Sequence, residues 1–274
     1  MTHQYCVVGN PVTHSKSPII HRLFARHTGA DIEYGRVELQ REDFGVQLRA
    51  LFERGYHGCN VTVPFKADAV TLCDELSDRA RLARAVNTLV QLPDGRLYGD
   101  NTDGAGLVTD LKVNLAHPLV GKRILIAGAG GATRGILPPL LSESPAAIII
   151  SNRTHARAVE LVEALSAHGP LSALPYDALD GHFDLIINAT SASIGGEVPP
   201  IPTGCVTENT VCYDLMYSDE PTAFLCWGES LGAKDLHDGL GMLVEQAAEA
   251  FLLWERVRPD NTVDVIHRLR NGEF

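Results

Sequence analysis

The segment Asn60-Val61-Thr62-Val63-Pro64-Phe65-Lys66 alternates polar and apolar residues and ends on an ammonium group. Read as a strand, it sets Val61, Val63 and Phe65 on one face and Asn60 and Thr62 on the other. Pro64 cannot donate to a sheet ladder, so the strand is expected to stop there, with Lys66 at the mouth of the next helix. The region beyond the carboxyl ends of strands is where open α/β sheets hold ligands. Three other stretches bring similar chemistry: His14-Ser15-Lys16-Ser17-Pro18, Asn87-Thr88, and Gly99-Asp100-Asn101-Thr102-Asp103-Gly104. Ser17 reads as a helix N-cap with Pro18 at the first helical position. If the approach to that helix is extended, the Ser15 and Ser17 hydroxyls point the same way and hold a small carboxylate. Alone, the serine pair is only a cap, and Lys66 with Asp103 only a surface ion pair worth little. Clustered with Asn60, Thr62 and Asn87, they can satisfy the several hydroxyls of a polar ring.

A second kind of chemistry begins after the apolar run Ile124-Leu125-Ile126-Ala127. There Gly128-Ala129-Gly130-Gly131-Ala132-Thr133-Arg134-Gly135 precedes a helical pattern. Strand, glycine turn and helix in that order form a pyrophosphate cradle, because glycines admit close backbone approach and the helix start offers unpaired N–H groups. The usual fingerprint has glycine where this chain has Thr133. An NAD site ends the next strand with a carboxylate for the ribose 2′-hydroxyl. Residues 148–159 contain neither Asp nor Glu; Ser151-Asn152-Arg153-Thr154 ends the strand and Arg157 follows one helical turn later. Two guanidiniums at a helix capped by Thr154 suit a 2′-phosphate, so the expected cofactor is NADP.

The elements that must position these groups fall into two series. Strands are expected over residues 5–9, 32–39, 59–63 and 86–92, with helices over 18–27 and 44–54, a βαβ rhythm that implies a mostly parallel sheet. Pro93-Asp94-Gly95 is the turn of a hairpin. The second series has strands over 123–127, 146–151, 184–189 and 211–215. A helix over 102–116, broken by His117-Pro118, joins the two, and helices over 239–257 and from 261 onward are expected to return to the first domain. The expected fold is therefore α/β in two domains: an N-terminal α/β sheet domain of residues 1–103 plus 239–274, and a Rossmann-like domain of residues 104–238, with a cleft between them.

The 274 residues, 45% hydrophobic and 21% charged, suit two modest cores. A net charge of −11 argues against nucleic acid or anionic membrane as partner, and obliges any anionic ligand to rely on local cations, hydroxyls and helix starts. No apolar run of about eighteen residues is present to span a bilayer and no basic-then-apolar leader opens the chain, so a cytoplasmic location is expected. The six cysteines are scattered and never spaced C-x-x-C, which reads as reduced packing residues. No metal is expected.

The chain resembles the shikimate dehydrogenase family over nearly its whole length. The likeness rests on Gly9-Asn10-Pro11 with residues 14–18, on residues 60–66, Ala85-Val86-Asn87-Thr88, residues 99–104, the glycine loop, Asn152-Arg153-Thr154, and Asp238-Gly239-Leu240-Gly241-Met242. The resemblance implies reversible NADPH-dependent reduction of 3-dehydroshikimate to shikimate on the route to aromatic amino acids. It implies substrate contacts at Ser15, Ser17, Asn60, Thr62, Lys66, Asn87, Asp103, Tyr217 and Gln246, with Lys66 and Asp103 catalytic. It implies cofactor contacts at Asp78, Gly128, Ala129, Gly130, Gly131, Ala132, Asn152, Arg153, Thr154, Arg157, Thr190, Leu215 and Gly239. Residues 190–195 keep only a loose likeness to the family's loop. Hydride delivered to a ketone carbon leaves an oxygen that needs a proton; Lys66 can stabilise it and supply the proton while Asp103 orients the ammonium and the neighbouring hydroxyl, and the sequence leaves open which of the two transfers it. Two alternatives stand: a quinate/shikimate dehydrogenase, often NAD-dependent, and a non-catalytic dinucleotide sensor, which has no need of Lys66 facing Asp103. A monomer or homodimer is expected.

Overall fold

The computed structural model describes residues 2–274, and for Ile194 the backbone only. The first stretch of chain runs β1 (His3–Gly9), α1 (Ser17–Thr28), β2 (Ile32–Glu38), α2 (Phe44–Glu53), β3 (Tyr56–Val61), β4 (Glu75–Leu76), α3 (Asp78–Ala83), β5 (Thr88–Gln91), β6 (Leu97–Asp100) and α4 (Asp103–Thr109). It continues through β7 (Arg123–Ala127), α5 (Gly131–Ser142), β8 (Ala147–Ser151), α6 (His155–Leu165), β9 (Leu171–Ala173), β10 (Leu185–Asn188), β11 (Val211–Asp214), α7 (Ala223–Ser230), β12 (Asp235–Asp238), α8 (Leu240–Glu255) and α9 (Thr262–Asn271). Two compact units result. One comprises the chain up to Leu107 together with Leu243–Phe274; the other is Val108–Met242.

In the first unit six strands form one sheet in the order β2-β1-β3-β5-β6-β4. β1 runs parallel to β2 and β3, and β4 parallel to β6, while the β5–β6 hairpin pairs antiparallel within itself and with β3. Gly95 takes φ 85° in the hairpin turn, a conformation that costs glycine nothing. Cys6, Val8, Leu48, Cys59, Val61, Phe65 and Leu89 build the core on one face, with the Phe44 and Phe65 rings stacked 4.3 Å apart.

β3 stops two residues before the expected end. The Phe65 amide donates to the Thr62 carbonyl and the Asn10 amide to the Val63 carbonyl, so residues 62–65 form a turn. The strand alternation is lost there: Val63 is 68% exposed while Phe65 is fully buried. α1 likewise begins at Ser17, with Lys16 in right-handed helical geometry at the N-cap and no side-chain cap, so the approach is a turn and not extended. The bridging helix runs through α4 into a π-turn over Asp110–Asn114, and Ala116 leaves it at φ 55°.

The second unit is a six-stranded, all-parallel sheet ordered β12-β11-β10-β7-β8-β9. The order in which successive strands are added reverses between β7 and β10, the topological switch point at which such sheets take ligands. Leu125, Ile149, Ile186, Cys212 and Phe224 pack one face. The near-continuous apolar runs of β7, β8 and β10 follow from burial on both faces. β12 was not expected as a strand; it carries one apolar residue in four, as an edge permits. No helix among the described residues is long and apolar enough to cross a membrane.

Candidate active site

In the first unit, the turn after β3 and the start of α4 bring two opposite charges together: Lys66 Nζ donates to Asp103 Oδ2 at 2.6 Å. The backbone explains why they meet. The Val86 amide donates to the Lys66 carbonyl at 2.8 Å, tying the turn to the segment that enters β5. Asp103 opens α4 after an Asn101 side chain that accepts from its amide at 3.2 Å, and a carboxylate there is favoured by the helix dipole. The lysine side chain is 26% exposed and the aspartate 8%.

Asn87 organises the surrounding groups. Its Nδ2 donates to Asp103 Oδ1 at 2.8 Å and to Thr102 Oγ1 at 2.9 Å, with a longer contact of 3.3 Å to Gln246 Oε1. Its Oδ1 accepts from the Thr102 amide at 2.8 Å and the Thr88 hydroxyl at 2.9 Å. Asn60 Nδ2 donates to the Asn87 carbonyl and to Thr88 Oγ1, and Asn60 Oδ1 accepts from the hydroxyl of half-buried Tyr34 at 2.7 Å. Lys66, Asp103, Asn87, Asn60 and Gln246 are thus one connected network. Gln246 reaches it because Gly106 on α4 has no side chain: a Cβ there would lie 2.6 Å from the Gln246 backbone nitrogen on α8.

Ser15 and Ser17 follow β1, parallel neighbour of β3, and their hydroxyls bond each other at 3.2 Å. The Arg36 guanidinium holds the Ser15 carbonyl. Burial pushes the Tyr34 phenol well above its usual range, with Ser17 a small opposing influence, which sets Tyr34 beside both Ser17 and Asn60. Thr62 packs on Gly9, where a Cβ would stand 2.5 Å from its methyl carbon. Tyr217 belongs to the second unit, where burial and then the Asp238 charge raise its pKa.

The second unit carries the glycine loop at its switch point. Gly128 takes φ 115°, its amide donates to the Ser151 carbonyl at 2.7 Å, and a Cβ would meet the Ala189 carbonyl and the Thr190 methyl. Only glycine fits there. Gly130 and Gly131 differ, since a Cβ at either would meet nothing within 4 Å. Space lies open above them, at the start of an α5 that has no side-chain cap, which is room for an anion on the first-turn N–H groups of α5. Thr133, in place of the fingerprint glycine, is fully buried and its hydroxyl donates to the Gly128 carbonyl at 2.9 Å. Arg153 and Arg157 are exposed, and neither pairs with a carboxylate among the described residues. Thr154 occupies the N-cap position of α6 without making the expected side-chain cap; its carbonyl accepts from Asn152 Nδ2 instead. Gly239 lies against the Leu215 backbone, where a Cβ would stand 2.2 Å from the carbonyl oxygen. Asp78, at the start of α3 in the first unit, pairs with Arg81 at 2.9 Å.

Two polar centres were not read from the sequence. Asp214, fully buried at the end of β11, accepts from Asn188, Ser193, Thr222 and the Met216 amide, and so fastens the loops after β10 and β11. The signal was present as a polar residue closing each apolar run. Tyr34 gave no comparable signal, because it sits in an alternation that reads as a half-solvated strand.

Residues 7–89 match the family described as shikimate dehydrogenase substrate binding domain, and residues 111–194 the family described as shikimate / quinate 5-dehydrogenase. The chain is 54% identical over 269 residues, 98% of each protein, to shikimate dehydrogenase (NADP(+)) of Aeromonas hydrophila. The chain belongs to the shikimate dehydrogenase family. Solved structures agree with that membership. An Ael1 enzyme from Pseudomonas putida superposes with TM-score 0.93 at 44% identity, covering 98% of each chain. Shikimate 5-dehydrogenase from Thermus thermophilus, in complex with NADP(H) and shikimate, superposes with TM-score 0.85 at 31% identity, covering 97% of this chain and 99% of that one. The family's two-domain α/β architecture, with a Rossmann-like second domain, is the fold described above.

Proposed function

We propose that the protein reversibly reduces 3-dehydroshikimate to shikimate with NADPH, a step of aromatic amino acid biosynthesis by way of chorismate, in the cytoplasm and as a monomer or homodimer. The observation that carries the reading is the Lys66–Asp103 pair at 2.6 Å, set in a network of amides and hydroxyls. A dinucleotide sensor has no use for such a pair. Lys66 Nζ keeps two N–H groups beyond the one given to Asp103, and Asp103 keeps unused lone pairs, so both retain capacity for a ligand.

When bound, the reduced nicotinamide supplies a hydride to the ketone carbon. The oxygen of that ketone then needs a proton and a stabilising charge. Lys66 delivers the proton and offsets the negative charge; Asp103 holds the ammonium and accepts from the neighbouring ring hydroxyl. In the oxidation direction the same pair takes the proton back. Asn60, Thr62, Asn87 and Gln246 bind ring hydroxyls, Ser15 and Ser17 the substrate carboxylate, and Tyr217 contributes from the second unit. Gly128, Ala129, Gly130, Gly131 and Ala132 cradle the pyrophosphate, with Asp78, Thr190, Leu215 and Gly239 lining the cofactor. Asn152, Arg153, Thr154 and Arg157 take the 2′-phosphate, which the two exposed guanidiniums fit and a carboxylate would repel.

Absorbance at the reduced-nicotinamide band tests the reading. Shikimate with NADP+ is expected to turn over; quinate with NAD+ is expected to be the poor combination. Faster turnover of quinate with NAD+ would favour the quinate/shikimate alternative, and no turnover of either would favour the sensor.

A further inference from the structure

Outside the machinery above, His117, Asp235 and His237 of the second unit bring three ligating atoms within 4.8 Å of one another. Their convergence follows from the fold. Asp235 and His237 are two residues apart on β12, so they share a face of the strand. Leu236 between them packs into the core of the opposite face. β12 is an edge strand, held in register on β11 by Asp235 opposite Val211 and His237 opposite Tyr213. His117 comes from the segment after the π-turn, fixed by its amide donating to the Leu111 carbonyl at 2.7 Å.

The carboxylate stands between the two rings. One oxygen lies 4.0 Å from His117 Nε2 and the other 3.9 Å from His237 Nε2, with ring centroids 5.6 Å apart. Both gaps exceed a hydrogen bond. Two donors on a tetrahedral zinc ion stand about 3.4 Å apart, given metal–ligand bonds of about 2.0–2.2 Å. Closing the widest separation, up to 4.8 Å, around one ion takes about 1.4 Å of relative side-chain movement, and partial exposure of 24% at His117 and 58% at Asp235 leaves an entry path beside the buried His237 Nε2.

We propose that His117, Asp235 and His237 bind one borderline transition-metal dication, Zn2+ or Ni2+ in preference to Mg2+, and staple edge strand β12 to the segment after α4. Two imidazoles and one carboxylate select such an ion, whereas Mg2+ wants an all-oxygen octahedron. Three protein ligands leave a position for water.

Calorimetric titration of the full chain with Zn2+, in a Cys226→Ser background because that thiol alone is exposed, tests the site. One equivalent is expected to bind, Zn2+ is expected to raise Tm, and millimolar Mg2+ is expected not to compete. His117→Ala with His237→Ala should abolish binding. Asp235→Asn, which keeps the side-chain shape, should weaken it about tenfold or more and decides the matter if the double variant fails to fold. Shikimate oxidation should survive each folded substitution. Unchanged Zn2+ stoichiometry and affinity in the variants, no saturable binding at all, or equal competition by Mg2+ would overturn the proposal.

Discussion

Asp103 grips Lys66 with one carboxylate oxygen at 2.6 Å and Asn87 with the other at 2.8 Å. The ammonium is therefore aimed by a carboxylate that is itself aimed by a buried amide, and Asn87 is in turn held at both ends of its own amide group. Such support keeps a proton donor in one geometry, which catalysis by a positioned acid requires.

Cofactor choice is expected to sit in two side chains. Neutralising Arg153 and Arg157 together should raise KM for NADPH by about tenfold or more while leaving KM for NADH within about twofold, because only NADPH carries the 2′-phosphate. Steady-state kinetics with both cofactors check this; equal effects would remove the arginines from the phosphate site.

Two glycines should separate folding from binding. Gly106→Ala drives a methyl into the Gln246 backbone, an overpacking that should cost about 1–3 kcal/mol, lower Tm and weaken shikimate binding. Gly130→Ala meets nothing within 4 Å and should leave stability within about 0.5 kcal/mol. It should nevertheless raise the Kd for NADPH, since its methyl enters the space proposed for the pyrophosphate. Urea unfolding and cofactor titration on the two variants give the contrast.

Much of the fold was legible because apolar periodicity reports burial. β7 starts and ends where expected, as the four residues after Arg123 are apolar and lie in the sheet's interior. β3 was overextended because Val63 and Phe65 continue the alternation past the point where the backbone turns. β12 was invisible since an edge strand need not be apolar. The clustering of polar groups was legible at Asn60 and Asn87, which interrupt apolar runs, and at Asp103, which closes a polar stretch before a helix. It was illegible at Tyr34, whose burial depends on α1 and on the aromatic cluster stacked over it, with the His21 ring 4.2 Å away.

That same His21 should mark the acid limit of stability. Burial pulls its pKa down to about 3, against a smaller opposing pull from Asn60, whereas an unfolded histidine titrates near about 6.5. Between those values the unfolded chain binds a proton that the native state refuses, so stability rises with pH across that window. Acidifying from about 6.5 toward 3 should cost about 1.4 kcal/mol per pH unit from this residue, with no contribution above 6.5. Urea unfolding at several pH values should show the slope, and His21→Phe should lack it by that amount; identical slopes would exclude His21 as the cause.

The most direct measurement is the turnover of Lys66→Ala with shikimate and NADP+, set beside its affinity for shikimate. A fall in kcat of about 10² or more with affinity changed only a few-fold is the predicted result. A variant that turns over at nearly the native rate would take Lys66 out of the reaction and contradict the mechanism built on its pairing with Asp103.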